Sequence, residues 1–309
     1  MMTKTRRVYA VTGATGRIGK RVARGLLEAG HGVHAVGRNP ERLKALADLG
    51  ARVFQGDLRD ADFVARAFHT TDTAFLLIPG DRASRDVRRT FGDIGINCAR
   101  ALQREGVHSA LFISTIGAHD DRYRGLVLVH GDVERSLNEV PDVNVLHLRA
   151  SGFFENLFYW LQQTRASGAL VTPIDPDADL DLAPTPDVAG VALRFLLEPD
   201  FRGKGAVELQ GREVLTMRKI AERLAAPLGR AFPVGQVTRE ANVESLTTRG
   251  VSVDFANLMN DTWDTFSRYG LLRSAGADSV KGVASIDDFI REQFAPAIMA
   301  PERMAAQAG

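Results

Sequence analysis

The chain has 309 residues, 45% hydrophobic and 25% charged, a globular composition with room for one large domain or a domain and a half. Its formal net charge of +1 supplies no global field for nucleic acid or an anionic membrane surface. The single cysteine, Cys98, excludes an intrachain disulfide and a cysteine-based metal site, and it fits a reducing cytoplasm.

The N-terminus carries Lys4, Arg6 and Arg7, then a short apolar run broken by glycine, so no signal peptide is expected. No window reaches the roughly 18 uninterrupted apolar residues of a membrane helix. Val8 to Val11 reads as a strand. It runs into Thr12-Gly13-Ala14-Thr15-Gly16-Arg17-Ile18-Gly19 and then a helix pattern with Val22, Ala23, Leu26 and Leu27 apolar. Strands follow at His31 to Val36, Ala51 to Gln55, Thr73 to Ile78, Ser109 to Ser114 and Val143 to Leu148. Between them helices are predicted over Pro40 to Leu49 (Asn39 as N-cap), Ala61 to Phe68, Val87 to Glu105 and Leu126 to Leu137. Alternation of this kind predicts a doubly wound parallel sheet, α/β in class, covered on both faces. Apolar strands such as Ala74 to Ile78 agree, because a parallel sheet is buried on both sides.

After Ser151 the rhythm changes. Gly152 to Gln163 reads as aromatic helix and Pro173 to Pro186 as loop. Helices are predicted at Asp187 to Leu197, Met217 to Leu228, Glu240 to Arg249, Phe255 to Phe266 and Ile286 to Phe294. Ala206 to Gln210 is one more strand, expected to join the sheet. The chain therefore divides into a dinucleotide-binding domain, 1–150, and a smaller helix-rich substrate region, 151–309. Its tail beyond Pro301 is expected to fray.

The glycine run carries the chemistry. Gly13 lets the chain leave the strand sharply, Gly16 lets a pyrophosphate approach the backbone, and Gly19 lets the helix pack close. Free N–H groups at Thr15, Arg17, Ile18 and their neighbours then face the phosphates at the helix N-terminus. The spacing is G-x-x-G-x-x-G, and its setting of strand, loop and helix gives the glycines their meaning. Where an NAD site places an acid, about 20 residues on, this chain has Arg38. An arginine suits the 2′-phosphate of NADP, so NADPH is expected in preference to NADH, with Arg17 assisting. Asp57 and Leu58 follow the third strand and could meet the adenine; the bland reading makes Asp57 the N-cap of the next helix. Ile78 and Pro79, and Ser114 and Thr115, close the fourth and fifth strands and are expected beside the nicotinamide.

The run Gly13-Ala14-Thr15-Gly16-Arg17-Ile18-Gly19 is joined by Val36-Gly37-Arg38-Asn39-Pro40, Gly56-Asp57-Leu58, Leu128 to Glu134, and Leu148-Arg149-Ala150-Ser151-Gly152-Phe153-Phe154-Glu155-Asn156. Together with Pro186 to Gly190 and Leu209-Gln210-Gly211, these segments resemble the NmrA-like family, an atypical branch of the short-chain dehydrogenase/reductases with a Rossmann-type fold. The resemblance covers nearly the whole chain. It implies either an NAD(P)H-dependent quinone-reductase-like enzyme or a non-catalytic NADP-binding redox sensor. It also implies that Asn156 points at cofactor or substrate.

The wider superfamily uses a Tyr-x-x-x-Lys pair for proton transfer. Here the residues four beyond Tyr9, Tyr123, Tyr159 and Tyr269 are Gly13, Val127, Gln163 and Arg273, and no lysine lies between Lys44 and Lys204. His130 is the candidate proton donor, with a reference pKa near ~6.5, and Tyr123 the second. The bland reading of His130 is a helix residue bonding its own neighbours. Phe153, Phe154, Phe158, Tyr159 and Trp160 follow the sixth strand, where an aromatic wall suits a flat acceptor such as a quinone or conjugated carbonyl; the bland reading is core. The expected partner is a small aromatic or quinone-like molecule, with no nucleic acid, membrane or metal involved. A homodimer is left open.

Overall fold

The apolar runs become the strands of one parallel sheet. The computed structural model describes residues 6–270 and 278–300. It alternates β1 (Val8–Val11), α1 (Arg17–Glu28), β2 (Gly32–Gly37), α2 (Pro40–Ala47), β3 (Arg52–Gln55), α3 (Ala61–Phe68), β4 (Thr73–Leu76), α4 (Val87–Arg104), β5 (Ser109–Thr115), α5 (Leu126–Asn138) and β6 (Asn144–Ala150). Next come β7 (Gly152–Phe153), a 3-10 segment (Phe154–Trp160), α6 (Leu161–Ser167), β8 (Leu170–Thr172), β9 (Leu180–Ala183), α7 (Thr185–Leu197) and β10 (Lys204–Gln210). The chain continues with β11 (Val214–Leu215), α8 (Met217–Leu228), β12 (Val234–Gln236), α9 (Arg239–Thr247), α10 (Val253–Tyr269) and β13 (Asp278–Lys281). A last helical segment from Ile286 to Met299 widens to a π turn at Ile290–Phe294. The tail expected to fray beyond Pro301 lies outside the described residues.

Eight strands form the main sheet in the order β13-β10-β6-β5-β4-β1-β2-β3, every pair parallel. Strand order reverses between β1 and β4, which opens a crevice at the carboxyl ends of these strands. One face is covered by α1, α2 and α7, whose Val22, Leu26, Leu43, Val188 and Leu196 pack on Tyr9, Val11 and Leu111. The other is covered by α3, α4 and α5, with Phe63, Phe91, Leu102 and Val133 around Ala74 and Phe112. This two-sided burial is why the central strands tolerate few polar residues.

The second half completes the first. Strand β10 joins the sheet beside β6, and β13, absent from the sequence reading, adds the outer edge. Asp187 at the start of α7 holds that edge, its Oδ2 accepting from Val283 N (2.7 Å) and Ala284 N (3.0 Å). A third apolar cluster, built on Phe154, Trp160, Leu215 and Phe294, fills the C-terminal half and takes in Val87 of α4.

Two segments differ from expectation. The aromatic stretch after Ser151 starts not as helix but as β7, paired with β9, and then as the 3-10 segment. The Asp- and Pro-rich loop contains β9, which also pairs antiparallel with β11. Asp181 is tolerated in that strand because its Oδ1 accepts the Gly211 N–H, so a residue that reads as loop is a partnered strand residue.

Candidate functional site

The glycine loop is built by close approach. Gly13 has φ 63°, and a Cβ there would come within 2.6 Å of Leu77 Cδ2. A Cβ on Gly19 would lie 2.3 Å from the Gly13 carbonyl oxygen, a backbone atom that cannot step aside. At Gly16 the corresponding approach is 3.3 Å, to that same oxygen. Thr12 Oγ1 accepts from Leu77 N (2.8 Å) and donates to Leu77 O (3.0 Å), and Ala14 N donates to Val36 O (3.1 Å). The loop is thereby tied to β4 on one side and β2 on the other. Thr15 lies against Gly37, where a Cβ would meet its Cγ2 at 2.9 Å. Ile18 is buried in the core, so its main-chain N–H rather than its side chain is its means of meeting a ligand.

Helix α1 starts at Gly16 with no side-chain cap and no acid in its first turn. Its neighbours α2, α3 and α4 are capped by Asn39, Asp60 and Asp86. An uncapped helix start carries unsatisfied N–H donors and the positive end of the helix dipole, which together suit a phosphate.

Arg38 is exposed at the end of β2. Asp57, half-buried past β3, accepts at Oδ1 from Arg59 N (2.9 Å) and pairs with the Arg59 guanidinium (Nη2 to Oδ2, 2.6 Å). Its carboxyl is held below the usual range by the Arg59 hydrogen bond, with the Arg38 charge adding to the effect. Asp57 does not cap α3; Asp60 does, accepting from Phe63 N at 3.0 Å. Leu58 is buried, and its carbonyl accepts from Asn97 Nδ2 (3.0 Å). The sequence reading missed Arg59, whose signal was its place two residues beyond an Asx-turn aspartate.

Beyond β4, Ile78 is buried and Pro79 half-buried. Beyond β5 the Ser114 hydroxyl turns inward, donating to Glu134 Oε1 at 2.5 Å, while Thr115 stays half-buried at the rim. Glu134 is buried and paired with the buried Arg149. These two residues were also missed. Their signal was a charge inside the otherwise apolar strand Val145 to Ala150 and another on the apolar side of α5.

Tyr123 is fully buried, its phenol donating to Gly270 O (2.8 Å) and its ring edge-on to Phe266. His130 stands on α5 with ring centroids 5.0 Å from Phe91 and 6.1 Å from Phe112. Its Nδ1 is 2.8 Å from Leu126 O, and a carbonyl only accepts, so Nδ1 bears the proton and Nε2 the lone pair of the neutral ring. Burial moves its pKa below the ordinary value.

The aromatic stretch is divided. Phe154 and Trp160 are core residues; Phe154 packs on Phe289 at 5.5 Å. Phe153, Phe158 and Tyr159 are half-buried. Glu155 receives Thr185 N (3.1 Å) and its hydroxyl (2.5 Å), which caps α7. Asn156 is half-buried and makes no side-chain hydrogen bond to another described residue. Thus the glycine loop, Arg38, Asp57, Ile78-Pro79 and Thr115 gather at the carboxyl ends of β1 to β5, while Ser114, Tyr123 and Phe154 are committed to the interior. Among the described residues no group of three His, Cys, Asp or Glu could hold a metal ion, and no helix is long and apolar enough to cross a membrane.

The model of the NmrA-like family matches residues 5–284. The chain belongs to the NmrA-like family. Similar curated proteins include an NAD(P)H azoreductase of Xenophilus azovorans, 24% identical over 82% of this chain and 85% of the relative. Another is quinone oxidoreductase 2 of Escherichia coli, 25% identical over 85% of this chain and 90% of the relative. The NADPH complex of the NADPH-dependent quinone oxidoreductase from Escherichia coli shares the fold, with a TM-score of 0.76, 21% identity, and coverage of 92% of this chain and 98% of that one. In this NmrA-like chain the fold is the parallel sheet with its crevice at the β1/β4 reversal.

Proposed function

We propose that this chain is an NADPH-dependent oxidoreductase that reduces a quinone-like or conjugated carbonyl small molecule by hydride transfer. The observation that carries the reading is the uncapped start of α1 behind Gly16, set at the strand-order reversal with Arg38 at the end of β2. The residues present fit the cofactor: Gly16 leaves the backbone approachable, the first turn of α1 receives the pyrophosphate, and Arg38 meets the 2′-phosphate. Asp57 and Arg59 border the adenine end; Ile78, Pro79 and Thr115 border the nicotinamide end. Bound NADPH supplies the hydride. The similarity to a quinone oxidoreductase and an azoreductase supports an acceptor of extended conjugation.

The protein's own protonation chemistry favours the quinone. Tyr123 is enclosed, and His130 is neutral at pH 7 with its one N–H committed to Leu126. Proton delivery from His130 requires an imidazolium that burial disfavours. A quinone accepts hydride to give a stabilised anion and asks little of a protein acid; an isolated carbonyl asks more.

The test is loss of NADPH absorbance with a panel of quinones and carbonyls, beside cofactor binding by Arg38→Ala. Turnover is expected with quinones, and Arg38→Ala is expected to weaken NADPH but not NADH. Equal weakening of both removes the 2′-phosphate role. Tight binding without turnover across the panel assigns the non-catalytic redox sensor instead.

A further inference from the structure

Most arginines with defined partners in this chain face carboxylates, as in Arg88–Asp132, Arg223–Glu213 and Arg239–Asp261. Arg82, Arg85 and Arg249 do not. None has a carboxylate within ion-pair distance among the described residues, although acids are close by in sequence. Asp81 accepts from Ala83 N (3.1 Å), Asp86 from Arg89 N (3.0 Å) and Asp254 from Val87 N (2.7 Å). The local acids are spent on backbone donors.

Arg85 lines one hollow, and Arg82 and Arg249 each directly precede a residue of its lining, Ala83 and Gly250. The segment after Pro79 is pinned to the turn between α9 and α10 by Ser252 N donating to Arg82 O (2.7 Å). A cavity of about 390 Å³ lies between them, lined by Arg85, Ala83, Val251, Ser252 and Asp254 among others. Arg82 sits over the Tyr159 ring, its Cζ 5.1 Å from the centroid. Arg249 donates Nε to Ser245 O (3.0 Å). Its guanidinium pKa is lowered by desolvation and then by the charge of Arg82. Two cations near each other, neither paired with the Asp254 carboxylate that takes the Val87 N–H, repel, and a bound anion relieves that repulsion. Position links the hollow to the acceptor side of the crevice. Arg82 is three residues past Pro79, which closes β4, and Tyr159 belongs to the half-buried aromatic set after β6. Arg38, the candidate for the cofactor's 2′-phosphate, stands instead at the end of β2.

We propose that Arg82 and Arg249, with Arg85 at the wall, receive an oxyanion carried by the substrate: a carboxylate, sulfonate or phosphate ester attached to the conjugated acceptor. This rests on the reductase reading and narrows its substrate class to acidic acceptors. The planar guanidinium forks suit such groups, and Tyr159 holds one fork in place.

The experiment compares a naphthoquinone sulfonate with its uncharged parent naphthoquinone in wild type, Arg82→Gln, Arg249→Gln and Arg249→Lys. The ratio of kcat/KM, sulfonate over parent, should fall about tenfold in each Gln variant, as expected for one lost charge-assisted contact, and recover in part with Lys. The NADPH Kd should not move. A separate arm measures binding of a naphthalene sulfonate, which accepts no hydride, by calorimetry. Weakened binding in the Gln variants supports the receptor even if no acceptor turns over. Turnover with no sulfonate preference in wild type, or a preference unaltered by both Gln variants, overturns the receptor and leaves the reductase standing. A rise in NADPH Kd in Arg82→Gln or Arg249→Gln assigns the anion to the cofactor and also overturns it.

Discussion

Arg149 grips Glu134 with both arms of its guanidinium, Nε to Oε1 at 2.9 Å and Nη2 to Oε2 at 2.6 Å, and both residues are buried. With Ser114 on the same carboxylate, the contact ties α5 to β5 and β6 directly behind the crevice. Burial pushes the Glu134 pKa up, but the Arg149 and Ser114 hydrogen bonds and the nearby positive charge outweigh it, so the net direction is down. A carboxyl lowered on folding adds stability above its unfolded pKa and loses it as pH falls through the folded value. Arg149→Leu strands the carboxylate and should cost about 3–5 kcal/mol in urea unfolding at pH 7. Adding Glu134→Gln should return part of that loss. Equal stability of Arg149→Leu and wild type would remove the pair from the fold's energetics.

A second acid-sensitive group is His147 on β6. Burial is the main cause that lowers its pKa to about 4, against the pull of Glu134. Its Nε2 bonds Asn138 Oδ1 at 2.8 Å, and its buried Nδ1 has no hydrogen-bond partner among the described residues. The neutral ring is the folded form, so its contribution is complete above the unfolded pKa of ~6.5 and is lost as pH falls toward the folded value. Wild type should lose up to about 3 kcal/mol between these limits from this residue. In His147→Gln the slope of stability against pH over that window should flatten, read by urea midpoints at successive pH values.

The loop glycines should separate folding from binding. Gly19→Ala drives a methyl into the Gly13 carbonyl, which should cost about 1–3 kcal/mol and lower Tm. Gly16→Ala makes only a tight 3.3 Å approach, so Tm should hardly move while NADPH affinity falls. A Gly16→Ala protein with unchanged NADPH Kd would take the pyrophosphate away from this loop.

For His130 the pH profile is the discriminating measurement. With the imidazolium populated only below the ordinary histidine range, turnover of a carbonyl acceptor should rise as pH falls, while quinone turnover stays flat. His130→Ala should lower the carbonyl rate by about 10²–10⁴ and the quinone rate much less. Tyr123→Phe loses a hydrogen bond to Gly270 and should affect Tm more than turnover. Abolished turnover in Tyr123→Phe with a normal Tm would reverse these assignments.

Local pattern determined much of this protein. Helices α3 and α8 and the Asn39 cap of α2 stand where apolar spacing and N-cap chemistry put them, because those signals act within a few residues. The parallel class of the sheet follows from strands apolar on both sides, and the glycine loop from spacings only glycine can satisfy. What tertiary structure alone decided has its partner far away in sequence. The two-residue strands β7 and β11 and the polar edge β13 carry no periodicity of their own and exist through pairing with β9 and β10. Whether Ser114 faces ligand or core depends on Glu134, twenty positions on, and whether Tyr123 is open or sealed depends on Gly270. A side chain's type fixes what it can bond; which partner reaches it first is fixed by packing, and packing is not written in any short window.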